Sequence, residues 1–229
     1  MFVVLLSGGF DSTAALWFVK KKAADEPVRA VGFRYGQAHA DAELMAAADI
    51  ARDCGVPFDT IQIIGLRRMD STPGVDDRGV SRAYVPGRNG IMLDYAAMHC
   101  HVPGAPLRLV VGANFDDCAA FPDCRAEFFE RRAASLRHGY AGICHVEIVT
   151  PWAALTKAQI FNWVRMQDNA EEITGHLRRS MSCYRGTRCG VCDACTLRAR
   201  TFAAAGVSDG TETGMMFGGD PHRDAGFKK

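Results

Sequence analysis

Residues Ser7-Gly8-Gly9-Phe10-Asp11-Ser12 combine the parts of an anion site. Two glycines let the backbone approach a ligand closely, and the hydroxyls of Ser7, Ser12 and Thr13 add donors. A phosphate would repel Asp11, unless that carboxylate supports a metal ion or lies to one side. The P-loop lysine and the third glycine of a dinucleotide fingerprint are both absent, so spacing alone specifies an anion at a helix N-terminus. A second constellation, Cys183-x5-Cys189-x2-Cys192-x2-Cys195, has the spacing of a four-thiolate metal site. Four thiolates close the tetrahedron around zinc and leave no open position, which makes such an ion structural. An iron–sulfur cluster takes the same ligands and is the chemical rival. The other cysteines (Cys54, Cys100, Cys118, Cys124, Cys144) are scattered and read as packed thiols.

These residues need a scaffold, and the pattern around them alternates strand and helix. Phe2 to Leu6 is a continuous apolar run that reads as a buried parallel strand, and Thr13 to Lys20 is a helix with a lysine-rich end. Val28–Phe33 reads as the second strand, and Asp41–Cys54 as a helix closed by Gly55 and Pro57. Phe58–Ile64 is the third strand, and 67–84 a long polar loop placed to lie over a site. Asn89–His101 reads as a helix, Leu107–Gly112 as the fourth strand, and Asp123–His138 as a helix with Phe128, Phe129 and Leu136 on its apolar side. Val146–Val149 is the fifth strand and Lys157–Val164 a helix. The pattern predicts an α/β fold: a doubly wound parallel five-stranded sheet with helices on both faces. Ligands bind beyond the carboxyl ends of such strands, so the glycine loop, Tyr35-Gly36-Gln37 and Asn114 to Asp117 should converge on one rim. We divide the chain into an α/β domain (1–170), a zinc-binding segment packed on it (171–206) and a flexible tail (207–229).

The chain has 229 residues, 48% hydrophobic and 23% charged, enough for one substantial core. A formal charge of +1 gives no overall pull toward nucleic acid. No apolar run has the length of a membrane span, and the first strand begins almost at Met1 with no export signal. Nine cysteines without such a signal suit a reducing compartment, so the expected location is cytoplasmic.

The SGGxDS stretch resembles the pyrophosphate-binding loop of the PP-loop ATP pyrophosphatases, which cleave ATP to AMP and pyrophosphate. Further segments make the resemblance narrower: Tyr35-Gly36-Gln37 with His39, Val85-Pro86-Gly87-Arg88-Asn89, and Pro122-Asp123-Cys124-Arg125 with Glu127-Phe128. Thr150-Pro151 with Lys157, and Ser182-Cys183-Tyr184 leading through the cysteines to Leu197-Arg198-Ala199, complete the set. In this order they resemble the QueC family of 7-cyano-7-deazaguanine (preQ0) synthases, as far as about Gly206. The resemblance implies a ligase that uses ATP, Mg2+ and one structural zinc to convert a 7-carboxy-7-deazaguanine and ammonia to the nitrile. It also implies a homodimer.

On that resemblance, Ser7, Gly8, Gly9, Phe10, Asp11, Ser12, Thr13, Tyr35 and Gln37 bind ATP, and Lys157, Asp11 and Arg88 are catalytic. Lys157 and Arg88 supply cations where carboxylate meets triphosphate, and Asp11 supports metal or loop. Arg88, Asn89, Asn114, Asp117, Phe121, Asp123 and Arg125 bind the deazaguanine, with Asp123 accepting from the guanine edge. Cys183, Cys189, Cys192 and Cys195 hold zinc. The chain also departs from the family pattern. Where the family has an aromatic residue, Ser-Gly and Tyr before Pro-Asp-Cys-Arg, this chain reads Cys118-Ala119-Ala120-Phe121. Hydroxyls and a stacking ring are lost beside the substrate. The Cys183–Cys189 loop is short for the family, and the tail after Gly206 has no counterpart. Two products stay open: preQ0 itself, or a deazaguanine acyl group passed to another amine, such as a protein N-terminus in antiphage defence. A third reading, a zinc-stabilised binding module with a vestigial loop, conflicts with the intact Ser7 to Ser12.

Overall fold

The computed structural model describes residues 1–66 and 74–210. Five parallel strands form one sheet in the order β3-β2-β1-β4-β5: β1 (Phe2–Leu5), β2 (Val28–Arg34), β3 (Phe58–Gln62), β4 (Leu107–Val110) and β5 (Val146–Val149). Helices α1 (Phe10–Lys22), α2 (Ala40–Asp53) and α3 (Arg88–Cys100) follow the first three strands. A single turn, α4 (Phe115–Cys118), and α5 (Ala126–Gly139) lie between β4 and β5. Beyond β5 come α6 (Lys157–Arg165), α7 (Ala170–Arg179) and α8 (Asp193–Ala204).

The apolar run that opens the chain is explained by burial on both faces. Phe2, Val4 and Leu6 enter a core with residues of α1, α2, α6, α7 and α8, such as Leu16, Ile50, Phe161, Ile173 and Phe202. Val3 points the other way, into a core with Leu93 of α3 and Phe129 and Leu136 of α5. Full burial of each such side chain contributes about 1.5–3 kcal/mol. The doubly wound arrangement is therefore the one expected.

Two close approaches set the rim. Gly32 of β2 lies so near α2 and β3 that a Cβ there would sit 2.6 Å from Leu44 Cδ2 and 2.7 Å from Phe58 Cζ. At Gly112, just after β4, a Cβ would lie 2.7 Å from the Asp11 carbonyl carbon and the Ser12 nitrogen. Only glycine there lets the first turn of α1 rest on the end of β4.

Three expectations need correction. The helix placed from Asp123 begins at Ala126; Pro122–Cys124 is a separate 3-10 turn, because the proline at its start and the extended Arg125 break the helical path. The strands expected to reach Ile64 and Gly112 end at Gln62 and Val110. Helices α7 and α8 are additional to the expected elements; α7 is amphipathic but short, and α8 starts inside the cysteine cluster, with Cys192 as its N-cap and Cys195 in its first turn. Of the expected polar loop and tail, 67–73 and 211–229 lie outside the described residues; 74–84 is turns plus one bridge, Val75 to Ser81.

Candidate active site

β1 and β4 are neighbours, yet the chain leaves β1 toward β2 and leaves β4 toward β5. A crevice opens at this switch of direction. It is a cavity of about 330 Å³, lined by Ser7, Gly9, Asp11 and Ser12 of the glycine loop and by Tyr35, Arg88, Asp117 and Phe121, among others. That size suits a small-molecule site.

The loop is held by its own side chains. Ser12 Oγ and Thr13 Oγ1 donate to the Gly9 carbonyl at 3.1 and 2.7 Å, and the Ser7 and Ser12 hydroxyls are 3.1 Å apart. Gly9 occupies the N-cap position and offers no side-chain cap, so the first-turn N–H groups of α1 stay free for an anion. Gly8 has φ +76°, and a Cβ there would lie 2.5 Å from the Glu43 carbonyl oxygen. Gly8 is thus fixed by a left-handed turn and by contact with α2, while Thr13 is wholly buried behind the loop.

Lys157 is a buried cation of the cavity. The capping box of Thr156 and Gln159 starts α6, and Asp116 accepts from the Lys157 backbone N–H at 2.8 Å. Its Nζ donates to Asp11 Oδ2 at 2.6 Å and lies 3.8 Å from Asp117 Oδ1. Burial disfavours the ammonium, but Asp11 and Asp117 outweigh it and raise the Lys157 pKa. Burial pushes the Asp117 carboxyl up to about 6, although Lys157 pulls against it. Asp11 Oδ1 is buried without a hydrogen-bond partner among the described residues. Trp152 Nε1 donates to the Asp11 carbonyl at 3.2 Å, a positioning contact that sequence reasoning missed.

Also in the lining, Arg88 lies over the Tyr35 ring, 5.7 Å from its centroid, with Nη1 donating to the phenol oxygen at 3.2 Å. Phe121 reaches the cavity and packs edge-on against Tyr84. Gln37 turns back on its own strand exit: its Oε1 accepts from the Tyr35 N–H at 2.9 Å, and its Nε2 donates to the Phe33 carbonyl at 2.9 Å. His39, a motif residue left out of the expected ligand set, also lines the cavity, with Nδ1 3.0 Å from the Tyr184 carbonyl.

Of the other expected substrate residues, Asn89 lines the cavity, while Asn114, Asp123 and Arg125 are not part of its lining. Asn114 is fully buried and caps α4, accepting from the Asp117 N–H at 3.2 Å and donating to Asp117 Oδ2 at 2.7 Å. Asp123 is 3% exposed, accepts from the Asn89 N–H at 3.2 Å, and burial raises its pKa. Asn89 Nδ2 returns a bond to the Asp123 carbonyl, so the two residues lock the start of α3 to the 3-10 turn. Arg125 donates to the Cys118 carbonyl and is exposed. The Cys118 thiol points to the carbonyls of Asn114 and Cys124, each at 3.3 Å.

Below the cavity, Cys183, Cys189, Cys192 and Cys195 place all four sulfurs within 4.8 Å of one another. The pairs Cys189–Cys195 and Cys183–Cys192 are 4.0 Å apart, near the ~3.8 Å edge of a tetrahedron with ~2.3 Å zinc–sulfur bonds. Burial opposes the Cys189 thiolate, yet backbone N–H groups of Val191 and Cys192 prevail and lower its pKa to about 6. All-sulfur donors at this spacing fit a soft, closed metal site. Among the described residues, no helix is long and apolar enough to cross a membrane.

Comparison with known proteins agrees with the geometry. The model of the family described as "Queuosine biosynthesis protein QueC" matches residues 1–206. A 7-cyano-7-deazaguanine synthase of a Psychrobacter species is 34% identical over 237 residues, covering 91% of this chain and 88% of the relative. The enzyme of the same name from Chromobacterium violaceum is 36% identical over 220 residues, with 90% and 91% covered. Among solved structures, the U34-tRNA thiolase NcsA from Methanococcus maripaludis with its [4Fe-4S] cluster matches at TM-score 0.42 and 14% identity, over 87% of this chain and 63% of that one. A likeness of that degree says nothing about the metal here.

Proposed function

The chain belongs to the QueC family, and from that premise we propose that it is an ATP-dependent C–N-forming ligase acting on a 7-carboxy-7-deazaguanine. One observation carries the reading: the uncapped loop of α1 and the Lys157 ammonium face the same crevice as Arg88 and Tyr35.

The chemistry follows from the leaving group. A carboxylate cannot expel oxide, but attack on the α-phosphorus of ATP yields an acyl-adenylate and pyrophosphate. Ammonia then displaces AMP, and a proton is released as the amide forms. The amide oxygen then attacks the α-phosphorus of a second ATP, expelling pyrophosphate and, with loss of one N–H proton, giving an imidoyl-adenylate; departure of AMP with the second proton leaves the nitrile. The free N–H groups of α1 and the Ser7 hydroxyl receive the departing pyrophosphate, already oriented as its charge develops. Lys157 sits where that charge meets the substrate carboxylate. The orphaned Asp11 Oδ1 is a hard oxygen donor that fits Mg2+, which would neutralise phosphate charge when bound with ATP. The closed cysteine site would hold a structural zinc.

Asp123 supplies the guanine-edge acceptor in this reading, and Arg88 holds the carboxylate. Ammonia is the proposed amine, the enzyme works in the cytoplasm, and it pairs as a homodimer. The departure from the family pattern at Cys118 to Phe121, of which Phe121 lines the cavity, favours a second reading, transfer to a larger amine such as a protein N-terminus. There the Cys118 thiol is tied to backbone, and Ala119 and Ala120 are small.

Mass spectrometry of purified protein with ATP, Mg2+, 7-carboxy-7-deazaguanine and ammonia tests both readings. AMP, pyrophosphate and complete conversion to the nitrile support the synthase. AMP and pyrophosphate without nitrile shift the assignment to another amine, and ADP with phosphate overturns the adenylation.

A further inference from the structure

The glycine loop is gripped from the C-terminal segment as well as from α2. The Met181 N–H donates to the Gly8 carbonyl at 2.7 Å, and a Cβ on Gly9 would lie 3.6 Å from the Met181 carbonyl oxygen. Met181 sits between two anchors. Two residues later in the chain is Cys183, a ligand of the four-sulfur site. One residue earlier is Ser180, the fully buried C-cap of α7.

Ser180 is held by Arg198. Its Nη1 donates to the Ser180 carbonyl at 3.0 Å and to Oγ at 2.8 Å, and Nη2 donates to the carbonyls of Leu177 and Arg178 at 3.0 and 2.9 Å. Asp209 neutralises the same guanidinium through bonds from Nε and Nη2. Arg198 is only 6% exposed, and all its bonds fall within one small region. It stands one turn after Cys195 on α8, whose N-cap is Cys192. The metal site therefore fixes the start of α8, α8 fixes Arg198, and Arg198 and Cys183 hold Met181 from both sides.

We infer that Arg198 and the four-cysteine site act together as a clamp that sets the position of the phosphate-binding loop, so that metal occupancy and nucleotide binding are coupled. Arg198 is a positioning residue: part of its side chain borders the cavity, but its hydrogen bonds go to Ser180, Leu177, Arg178 and Asp209 and reach the loop through Ser180 and Met181. A staple confined to folding would sit anywhere on the core. This one ends on the carbonyl of the glycine that the loop needs in a left-handed turn. Coupling is reciprocal: if bound metal tightens nucleotide binding, bound nucleotide must tighten metal binding by the same factor. The inference rests on the nucleotide reading of the loop.

The test uses the full-length, zinc-loaded protein and α,β-methylene-ATP, which binds without being cleaved at the α,β position. Zinc transfer to a colorimetric chelator is followed with and without the analogue, and the dissociation constants of both are measured. The expected result is zinc affinity raised by the analogue within about five- to 150-fold, matched by an equal rise of analogue affinity over zinc-free protein. Arg198→Gln should weaken analogue binding severalfold and shrink that zinc effect, while deazaguanine binding and zinc stoichiometry stay at wild-type values. Arg198→Lys, which keeps charge and some donors, should recover part of the loss. Tight analogue binding that leaves zinc affinity unchanged overturns the coupling alone. So does an Arg198→Gln protein that melts earlier but binds the analogue normally. Should the wild-type protein bind no analogue, the nucleotide reading fails and the coupling falls with it. The zinc measurement on wild type decides the matter even if Arg198→Gln does not fold.

Discussion

The Lys157 ammonium and the Asp11 carboxylate stand 2.6 Å apart, although 146 residues separate them in the chain. This pair joins the first turn of α6 to the glycine loop and leaves one Asp11 oxygen without a partner among the described residues. Lys157→Met would strand Asp11 and Asp117 in a buried site. Removing one partner of a buried pair costs about 3–5 kcal/mol, so the melting temperature should fall clearly. Pyrophosphate release should slow by about a hundred- to a thousandfold, as for loss of one preorganised charge at a transition state. A coupled pyrophosphate assay on folded variant measures this.

Ser7 and Ser12 should separate. Ser12 is 6% exposed and its hydroxyl is committed to the Gly9 carbonyl, whereas Ser7 is exposed at the cavity edge. Ser7→Ala should slow adenylation by about ten- to a hundredfold with little change in melting temperature, while Ser12→Ala should lower both rate and stability. Single-turnover AMP formation beside a thermal melt distinguishes the two.

Asp117 makes stability depend on pH in a direction opposite to that of a salt-bridged acid. Its pKa rises from an ordinary 3.8 to about 6 on folding, so between those values the folded state binds more protons than the unfolded state. Its contribution therefore falls as pH rises through this window, and the penalty is complete above about pH 6. Asp117→Asn keeps an oxygen for the Asn114 amide and removes the titration. Urea midpoints across pH 4 to 8, taken as a difference between wild type and variant, should show that slope.

Serine at any of Cys183, Cys189, Cys192 or Cys195 should release the metal and destabilise the protein, because metal-binding free energy is part of folding free energy. Elemental analysis should find one zinc per wild-type chain and none in the variant. Iron with labile sulfide would assign a cluster instead.

Asp123→Asn tests the guanine edge. The Asn89 N–H already uses one Asp123 oxygen, so the substrate would read the other. Loss of a charged acceptor should weaken calorimetric binding of 7-carboxy-7-deazaguanine by about ten- to a hundredfold. Unchanged affinity with a lower melting temperature would leave Asp123 as the clasp of α3.

The order of strands and helices was legible because each local signal agreed with its neighbour: the apolar run of β1, the Lys20–Lys22 end of α1, and Gly55 after α2. The loop and the cysteines were legible for the same reason, since Ser7 to Ser12 and Cys183 to Cys195 carry their chemistry within a few residues. Short range limited that reading. Helix α8 was hidden because its first turn is written in metal-site residues, and Pro122 moved the start of α5 by three positions.

Sequence by itself determined the fold class, the glycine turn that opens α1 and the four-cysteine cluster, because local backbone geometry and residue spacing are properties of contiguous residues. Tertiary structure alone decided which polar groups face ligand and which hold the frame. Asn114 became a cap and Asp123 a clasp, while Asp11 was paired with Lys157 and backed by Trp152. Met181 and Arg198, unremarkable as single letters, came to grip the loop. The contacts of Asp11 with Lys157 and Trp152, and of Gly8 with Met181, join segments more than a hundred residues apart, which packing creates and no local pattern encodes.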